Sequence, residues 1–256
     1  MPSLFQQFKE LHRSLFIIPN AWNPKSALHF QQQHFPAVAT SSAAVANSLG
    51  YEDGEAMPFD EYLFIVRRIL ATVQVPVTID IEMGYGKTNE AIYANIRKLA
   101  ALGVAGINIE DSTIQSAKRT LRDANSFAQT IDFIKTKLAQ DQLELFINVR
   151  CDTYILDVAN KQSETAKRLE LYEAAGADGI FLPCISAETD IAEAVNSTTL
   201  PINVMCIPGL PDIETLKTLG VKRASMGPFL FNRLYEGIST LTEAITATGS
   251  FAPLFA

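Results

Sequence analysis

Acidic side chains end two apolar segments of the chain, each with the composition of a buried strand. The segment 75–82 ends in Asp80 and Glu82, and the segment 106–111 carries Glu110. Because side chains alternate between the faces of a strand, Asp80 and Glu82 are expected to share one face. Two buried carboxylates repel each other and lose hydration unless a cation lies between them. Hard oxygen ligands suit Mg²⁺ or Mn²⁺, so the pattern predicts a divalent metal site that Glu110 joins.

The same acids are also compatible with a site that holds no metal. A carboxylate pair can be held by lysine, arginine or backbone amides, and Glu110 on its own fits a buried ion pair. Asn108 shares the face of Glu110, whereas Asp111 points the other way and is expected only to cap the residues that follow.

A guanidinium is predicted to lie beside these acids. The segment 144–152 ends with Asn148, Arg150 and Asp152 on one face. Arginine can hold a substrate carboxylate through two parallel hydrogen bonds. The alternative is that Arg150 only neutralises neighbouring acids. Cys151 alternates to the other face, where a small buried hydrophobic residue is expected.

A run of small hydroxyl residues, Thr40-Ser41-Ser42, ends an earlier apolar segment. Consecutive small residues can present N–H and O–H donors to an anion, and an ordinary turn is the alternative.

The composition excludes several classes of protein. The 256 residues carry a net charge of −7 without a cluster of basic residues, which argues against a nucleic-acid partner. Hydrophobic residues make up 48% of the chain, ample for a core, and no apolar run is long enough to span a bilayer. Three scattered cysteines and three histidines away from segment ends disfavour disulfides, a zinc site and a Ser-His-Asp triad. We therefore expect a cytoplasmic protein with no membrane partner.

Eight apolar segments alternate with helical patterns, which is the count expected of a TIM-type (β/α)8 barrel. The segments are Leu15–Trp22, Ala37–Ser42, Val75–Glu82, Gly106–Asp111, Glu144–Asp152, Gly179–Cys184, Pro201–Cys206 and Arg223–Gly227. Three helices are predicted to begin after a capping side chain and to end at a glycine: Thr88 to Gly103, Ser163 to Gly176 and Asp212 to Gly220.

The chain is predicted to form a single α/β domain over residues 1–256, because no linker-like segment divides it. An open doubly wound sheet is the alternative, but its glycine-rich first turn is missing. A helical pattern covers 229–248 and the end 251–256 is apolar, so we expect 229–256 to pack on a neighbouring subunit.

Several motifs occur together and in order over nearly the whole chain. They are Pro19-Asn20-Ala21-Trp22, Ala39–Gly54 with Asp53, Asp80-Ile-Glu82-Met-Gly-Tyr-Gly86, Asn108-Ile-Glu110-Asp111, Asn148-Val-Arg150-Cys-Asp152 and Pro201-Ile-Asn203-Val204. On these motifs the chain resembles the isocitrate lyase/phosphoenolpyruvate mutase superfamily, including its carboxyvinyl-carboxyphosphonate phosphorylmutase and 2-methylisocitrate lyase relatives.

The resemblance implies a phosphoenolpyruvate/pyruvate-type barrel in a homo-oligomer, a dimer or a tetramer. It implies Mg²⁺, or alternatively Mn²⁺, beside a small 2-oxo acid or carboxylate. The metal-site acids implied by position are Asp53, Asp80, Glu82 and Glu110. The substrate-binding residues are expected to be Thr40, Ser41, Ser42, Arg150 and Asn203, with Arg150 and Glu110 as the catalytic pair.

The chain departs from the superfamily pattern at two places. Glu82 stands where many members have aspartate. The gating loop after Glu110 contains Ser112, Lys118 and Arg119, but neither the cysteine of the lyase segment nor the asparagine of the mutase segment.

The expected activity is a metal-assisted C–C lyase reaction on a 2-oxo acid, in which the gating loop closes over the site. Tyr85, Lys118 and Glu110 are the candidate acid or base groups. A phosphorus–carbon mutase or hydrolase and a non-catalytic 2-oxo-acid binder are the two alternatives.

Overall fold

A computed structural model gives the structure of residues 2–115 and 118–255. Its strands, in chain order, are β1 (Phe16–Ile18), β2 (Asn20–Ala21), β3 (Val38–Thr40), β4 (Val77–Asp80), β5 (Gly106–Glu110), β6 (Ser112–Gln115), β7 (Lys118–Leu121), β8 (Phe146–Arg150), β9 (Gly179–Leu182), β10 (Ile202–Met205) and β11 (Arg223–Ser225). One parallel sheet has the order β1-β11-β10-β9-β8-β5-β4-β3-β2, and β6 and β7 form a separate antiparallel hairpin.

The parallel sheet closes on itself at Pro19. This residue separates β1 from β2 and has no N–H to donate to a ladder. On one side the Ile18 carbonyl accepts from the Met226 amide at 3.2 Å, and on the other the Pro19 carbonyl accepts from the Ala39 amide at 2.9 Å. Strands β1 and β2 are thus two halves of one interrupted barrel strand. Counted in this way, the described residues form eight barrel strands, which confirms the predicted (β/α)8 barrel.

Helices surround the barrel. They are α1 (Leu4–Leu11), α2 (Pro24–Gln32), α3 (Ser42–Ser48), α4 (Phe59–Leu70), α5 (Asn89–Ala101), α6 (Ala124–Gln140), α7 (Lys161–Ala174), α8 (Glu188–Asn196), α9 (Ile213–Thr218) and α10 (Phe229–Thr248), followed by a 3₁₀ turn, Ala252–Leu254. Isoleucines on the outer faces of the strands, including Ile79, Ile107 and Ile147, are fully buried beneath these helices. The main core therefore lies between the sheet and the helices, as hydrophobic burial requires.

Two of the three predicted helix starts are confirmed. The side chains of Thr88 and Asp212 accept hydrogen bonds from backbone amides three residues further on, at 3.3 and 2.9 Å. The start predicted at Ser163 is wrong, because α7 already begins at Lys161. Asn160 precedes the helix with a left-handed φ of 53°, a conformation that asparagine tolerates better than most residues. The helix therefore begins two residues before Ser163.

The helix predicted over 229–248 is confirmed as α10. Its large apolar side chains are exposed, with Leu234 at 50%, Ile238 at 46% and Leu241 at 40%. The packing of 229–256 on a neighbouring subunit stays a prediction, and Ala256 lies outside the described residues. In the described part of the chain, every helix is too short or too polar to cross a membrane.

Helix α1 covers the amino-terminal end of the barrel. Phe8 is fully buried and meets Phe16 and Phe146 edge to face, with ring centroids 6.2 and 5.4 Å apart. His12 stacks on Phe146 at 4.4 Å, and burial lowers the pKa of its imidazole to about 3. This end of the barrel is therefore sealed by an aromatic cluster.

Replacing the central ring of this cluster should destabilise the whole barrel. We expect Phe8→Ala to lower the free energy of unfolding by about 3–5 kcal/mol, because a fully buried ring is lost and its neighbours relax only in part. Urea denaturation followed by circular dichroism would measure the change. Phe64→Ala is the control, since Phe64 is 59% exposed on α4. Equal destabilisation by both variants would contradict the role of α1 as the seal.

Candidate active site

Polar side chains gather at the carboxyl ends of the barrel strands, where enzymes with this fold place their active sites. Asp80 ends β4, Glu110 ends β5 and Arg150 ends β8. The register of the sheet pairs Asp80 with Asn108 and Glu110 with Arg150. The acids and the arginine expected at neighbouring strand ends thus lie at one mouth.

Asp80 is held from two sides. Its carboxylate accepts a hydrogen bond from the Ser42 hydroxyl at 2.8 Å. Its backbone amide donates to the Thr40 hydroxyl at 3.0 Å, and its carbonyl accepts from the Tyr62 hydroxyl at 2.8 Å. The Thr40 and Tyr62 oxygens lie 2.6 Å apart. Thr40 is completely buried, and its hydroxyl is engaged by the Asp80 amide and lies beside the Tyr62 hydroxyl.

The other small residues of this segment divide their roles. Ser41 caps α3, because its hydroxyl accepts from the Ala44 amide at 3.3 Å. Ser42 is buried and directs its hydroxyl at Asp80. The substrate-binding role of Thr40, Ser41 and Ser42 stays a prediction. Ser42 donates its hydroxyl to the Asp80 carboxylate, whereas Thr40 contacts only the Asp80 backbone.

Glu82 lacks a basic partner among the described residues. Tyr85 donates its hydroxyl to Oε1 at 3.1 Å, whereas Oε2 is buried without a hydrogen bond to any described residue. Burial, with repulsion from Asp53 and Asp80, raises the pKa of Glu82 to about 8. Glu82 and Tyr85 also have positive φ angles of 51° and 53°, a strained conformation that clusters at functional sites.

The loop that follows α3 brings two further acids towards Glu82. Asp53 is exposed, and its charge contributes to the raised pKa of both Glu82 and Asp80. Glu55 accepts a hydrogen bond from the Tyr85 amide at 2.6 Å, and burial raises its pKa. Glu55 was not among the predicted acids, although it lies only two residues from Asp53.

Glu110 pairs with two arginines. Its Oε2 lies 2.9 Å from Arg150 Nη1, and its Oε1 accepts from Arg119 on strand β7. Arg150 also donates to Asp152 from Nε at 2.6 Å and from Nη2 at 3.2 Å. Burial alone would lower the pKa of Arg150, but Asp152 and Asp80 outweigh it and raise the pKa. Arg150 therefore stays charged and is oriented by Asp152.

The predicted gating loop folds over this cluster as the β6–β7 hairpin. Ser112 is buried and donates to Asp152 at 2.6 Å, and Arg119 donates to the Ser112 hydroxyl at 2.8 Å. Lys118 is exposed, away from these contacts. Residues 116 and 117 of the predicted loop lie outside the described residues.

The four predicted metal-site acids are not grouped into a preformed metal-coordination site among the described residues. Within residues 2–115 and 118–255, no three His, Cys, Asp or Glu side chains are grouped as metal ligands. Glu110 forms ion pairs with Arg119 and Arg150, which is the arrangement expected if it is part of a buried ion pair and not a metal ligand. Asp80 and Glu82 nevertheless fit a divalent cation, because the unpaired Glu82 oxygen and the mutual repulsion of neighbouring carboxylates would both be relieved by one. The four-acid set stays a prediction.

A polar layer lies deeper in the barrel. Asn203 is buried, and neither amide atom has a partner among the described residues. Arg223 is also buried and donates to Asn108, which accepts from Asn148 as well. Arg223 was not among the predicted site residues, and its signal in the sequence is a basic residue at the start of the last strand. The substrate-binding role of Asn203 stays a prediction.

Comparison with known proteins defines the class. The family model for phosphoenolpyruvate phosphomutase matches residues 8–246. An uncharacterized protein of Mycobacterium tuberculosis (strain ATCC 25618 / H37Rv) is 36% identical over 86% of this chain and 81% of its own length. Oxaloacetate decarboxylase 1 of Pseudomonas fluorescens (strain Pf0-1) is 29% identical over 71% of this chain and 62% of its own length.

Solved structures agree with this assignment. A Burkholderia cenocepacia J2315 protein, provisionally described as a lyase/mutase, superposes with a TM-score of 0.91 at 28% identity, covering 98% of this chain and 91% of its own. A phosphonopyruvate hydrolase solved with oxalate and Mg²⁺ shares the fold, with a TM-score of 0.86 at 21% identity over 97% of this chain and 89% of its own. The chain belongs to the phosphoenolpyruvate phosphomutase family, and the proteins to which its sequence is similar include a 2-methylisocitrate lyase and oxaloacetate decarboxylases.

Glu82 should make the stability of the metal-free protein fall as pH rises. Its pKa is 4.5 in the unfolded chain and about 8 in the fold, so the folded protein retains a proton that the unfolded chain loses between these values. We expect the melting temperature to fall by several degrees from about pH 5 to about pH 8, and Glu82→Gln to flatten this slope.

Differential scanning fluorimetry in chelator-treated buffer would measure both slopes. The exposed Glu214 on α9 provides the matched control variant, Glu214→Gln, which should keep the wild-type slope. A Glu82→Gln slope as steep as that of the wild type would show that Glu82 ionises normally.

Proposed function

We propose that the protein is a divalent-metal-dependent lyase that cleaves a C–C bond of a small 2-oxo acid. Two observations at the barrel mouth carry the proposal. An oxygen of Glu82 is buried without a partner among the described residues, and Asp152 holds the guanidinium of Arg150, whose charge acts on Asp80, in one orientation. The similarity to an oxaloacetate decarboxylase supports a four-carbon 2-oxo acid as the first substrate to test.

Mg²⁺ is the cation that this donor set favours, because all the candidate ligands are hard carboxylate oxygens. Asp80 and Glu82 would hold it, with Asp53 and Glu110 as the further acids of the set. When bound, the ion supplies Lewis-acid stabilisation of the negative charge that develops on the substrate oxygen.

Arg150 would orient the substrate carboxylate. Its side chain is 13% exposed and forms ion pairs with Glu110 and Asp152, so its orientation is set without a bound ligand. A fixed donor aimed at a forming negative charge needs no reorganisation during the reaction. Asp152 keeps the guanidinium plane in place through two hydrogen bonds.

The hairpin β6–β7 would exclude water from the site. Ser112 and Arg119 tie it to Asp152 and Glu110 across the mouth. Exclusion of water strengthens the interactions of Arg150 with an anion and protects a reactive intermediate from side reactions.

Tyr85 is the best placed of the candidate acid or base groups. Its hydroxyl lies at the site, donating to Glu82, whereas Lys118 is exposed and Glu110 is engaged by two arginines. Burial and the nearby Glu82 charge raise the pKa of Tyr85, so at neutral pH it holds its proton and would act as a donor.

The proposal predicts Mg²⁺-dependent formation of pyruvate from oxaloacetate above a protein-free control. We expect Asp80→Ala and Arg150→Ala each to lower kcat/KM by about 100-fold or more, because each removes charge on which stabilisation of the developing anion depends. A coupled lactate dehydrogenase assay measures the product. Asp60→Ala, at an exposed acid on α4, is the control that should keep full activity.

Three outcomes would overturn the proposal. Equal product with and without Asp80 would remove the metal site from the reaction. Conversion of phosphonopyruvate, followed by ³¹P NMR, without turnover of any 2-oxo acid in the panel would assign phosphorus–carbon chemistry. Tight binding of oxalate without any turnover would instead indicate a binding protein.

A further inference from the structure

A buried ionic cluster lies behind the barrel wall, outside the proposed site. Asp111 Oδ2 accepts hydrogen bonds from Arg168 Nη1 at 2.9 Å and from the Tyr172 hydroxyl at 2.7 Å. Asp111 and Tyr172 are fully buried, and Arg168 is 5% exposed. Burial raises the pKa of Asp111, while the adjacent Arg168 opposes this and favours the ionised form. We call these three residues the Asp111 cluster.

The first connection of the cluster runs to Arg150. Asp111 Oδ1 accepts from the Asp152 amide at 2.8 Å, and the Asp111 amide donates to the Arg150 carbonyl at 2.9 Å. The backbone on both sides of Cys151 is thereby fixed by one residue, Asp111, which directly follows the neighbouring strand β5. Because the Asp152 carboxylate sets the plane of the Arg150 guanidinium, the direction of that guanidinium depends on Asp111.

The second connection runs to the foot of the β6–β7 hairpin. The Arg122 amide donates to the Asp111 carbonyl at 2.8 Å, and the Arg122 carbonyl accepts from Arg168 Nη2 at 3.0 Å. The Arg122 guanidinium lies over the Phe127 ring at 5.0 Å. One cluster therefore fixes the end of β8, which carries the guanidinium, and the residue at which the hairpin returns to the barrel.

Stability alone does not account for charge at this place. Desolvation of a buried ion pair offsets most of its attraction, and apolar residues of similar volume stabilise a fold about as well. Charged hydrogen-bonding groups do differ from apolar ones in direction, because each bond holds a particular backbone atom.

We propose that Asp111, supported by Arg168 and Tyr172, is a positioning residue that holds the Arg150 guanidinium and the hairpin in register with each other. The part of this inference that concerns substrate rests on the proposed function. Loss of the Asp111 charge should loosen the hairpin foot and the Asp152 turn together, and should weaken binding of an anion that Arg150 holds.

The chain offers a matched control at the opposite end of β8. Asp178 Oδ2 accepts from the Ile147 amide at 2.9 Å and from Lys135 Nζ at 2.8 Å. This arrangement resembles the Asp111 cluster, with an acid that joins the backbone of β8 to a basic side chain, but it lies away from the mouth. Asp178→Asn should therefore affect stability without affecting the hairpin or ligand binding.

The test compares full-length Asp111→Asn and Asp178→Asn by hydrogen–deuterium exchange and by calorimetry with oxalate and Mg²⁺. We expect Asp111→Asn to speed exchange of the hairpin amides by about 10-fold or more and to weaken oxalate binding by about 10-fold. Asp178→Asn should change neither quantity. Unchanged exchange in Asp111→Asn, or equal acceleration in both variants, would overturn the inference.

Tyr172→Phe keeps the experiment decisive if Asp111→Asn does not fold. It removes one hydrogen bond and leaves the ion pair, so hairpin exchange should rise by a smaller factor; an unchanged rate would count against the inference. Exchange needs no substrate, which separates the two proposals. If the wild type neither binds oxalate nor turns over any 2-oxo acid, the proposed function fails while the exchange comparison still decides the role of Asp111.

Discussion

The excess of buried carboxylate over guanidinium at the barrel mouth is the constraint on which the rest of this site depends. Arg150 and Arg119 neutralise Glu110 and Asp152, but Asp80 and Glu82 form no ion pair with the described residues. A buried carboxylate without a partner is unfavourable by several kcal/mol and responds by holding a proton, as the raised pKa of Glu82 shows. A cation at this position would remove that penalty and favour the ionised form of Glu82.

The surrounding structure keeps this unfavourable arrangement in place. Tyr62 and Thr40 fix the Asp80 backbone from outside the barrel, and the aromatic cluster around Phe8 closes the opposite end. The predicted site therefore lies at the end of the barrel opposite the aromatic cluster, under the β6–β7 hairpin. Asp111 adds the link between the fixed guanidinium of Arg150 and the hairpin that covers it.

The sequence was sufficient to predict features that depend on local periodicity. The alternation of apolar and polar residues placed Asp80 and Glu110 at strand ends, and the count of apolar segments predicted the eight barrel strands. Side-chain partners could not be predicted, because they depend on which strand follows which around the barrel. The pairing of Glu110 with Arg119 needs the hairpin fold, and the contact of Arg223 with Asn108 needs the interior layers. Asp111, expected to be only a cap, joins several elements because α7 brings Arg168 to it.

The most direct test of the central claim is an anomalous difference map from a crystal soaked with Mn²⁺ and oxalate. A peak in contact with Glu82 Oε2 and Asp80, with oxalate between it and Arg150, is the result that this account predicts. A map without a peak at these acids, with Glu82 still unpaired or turned to a lysine or arginine, would contradict it.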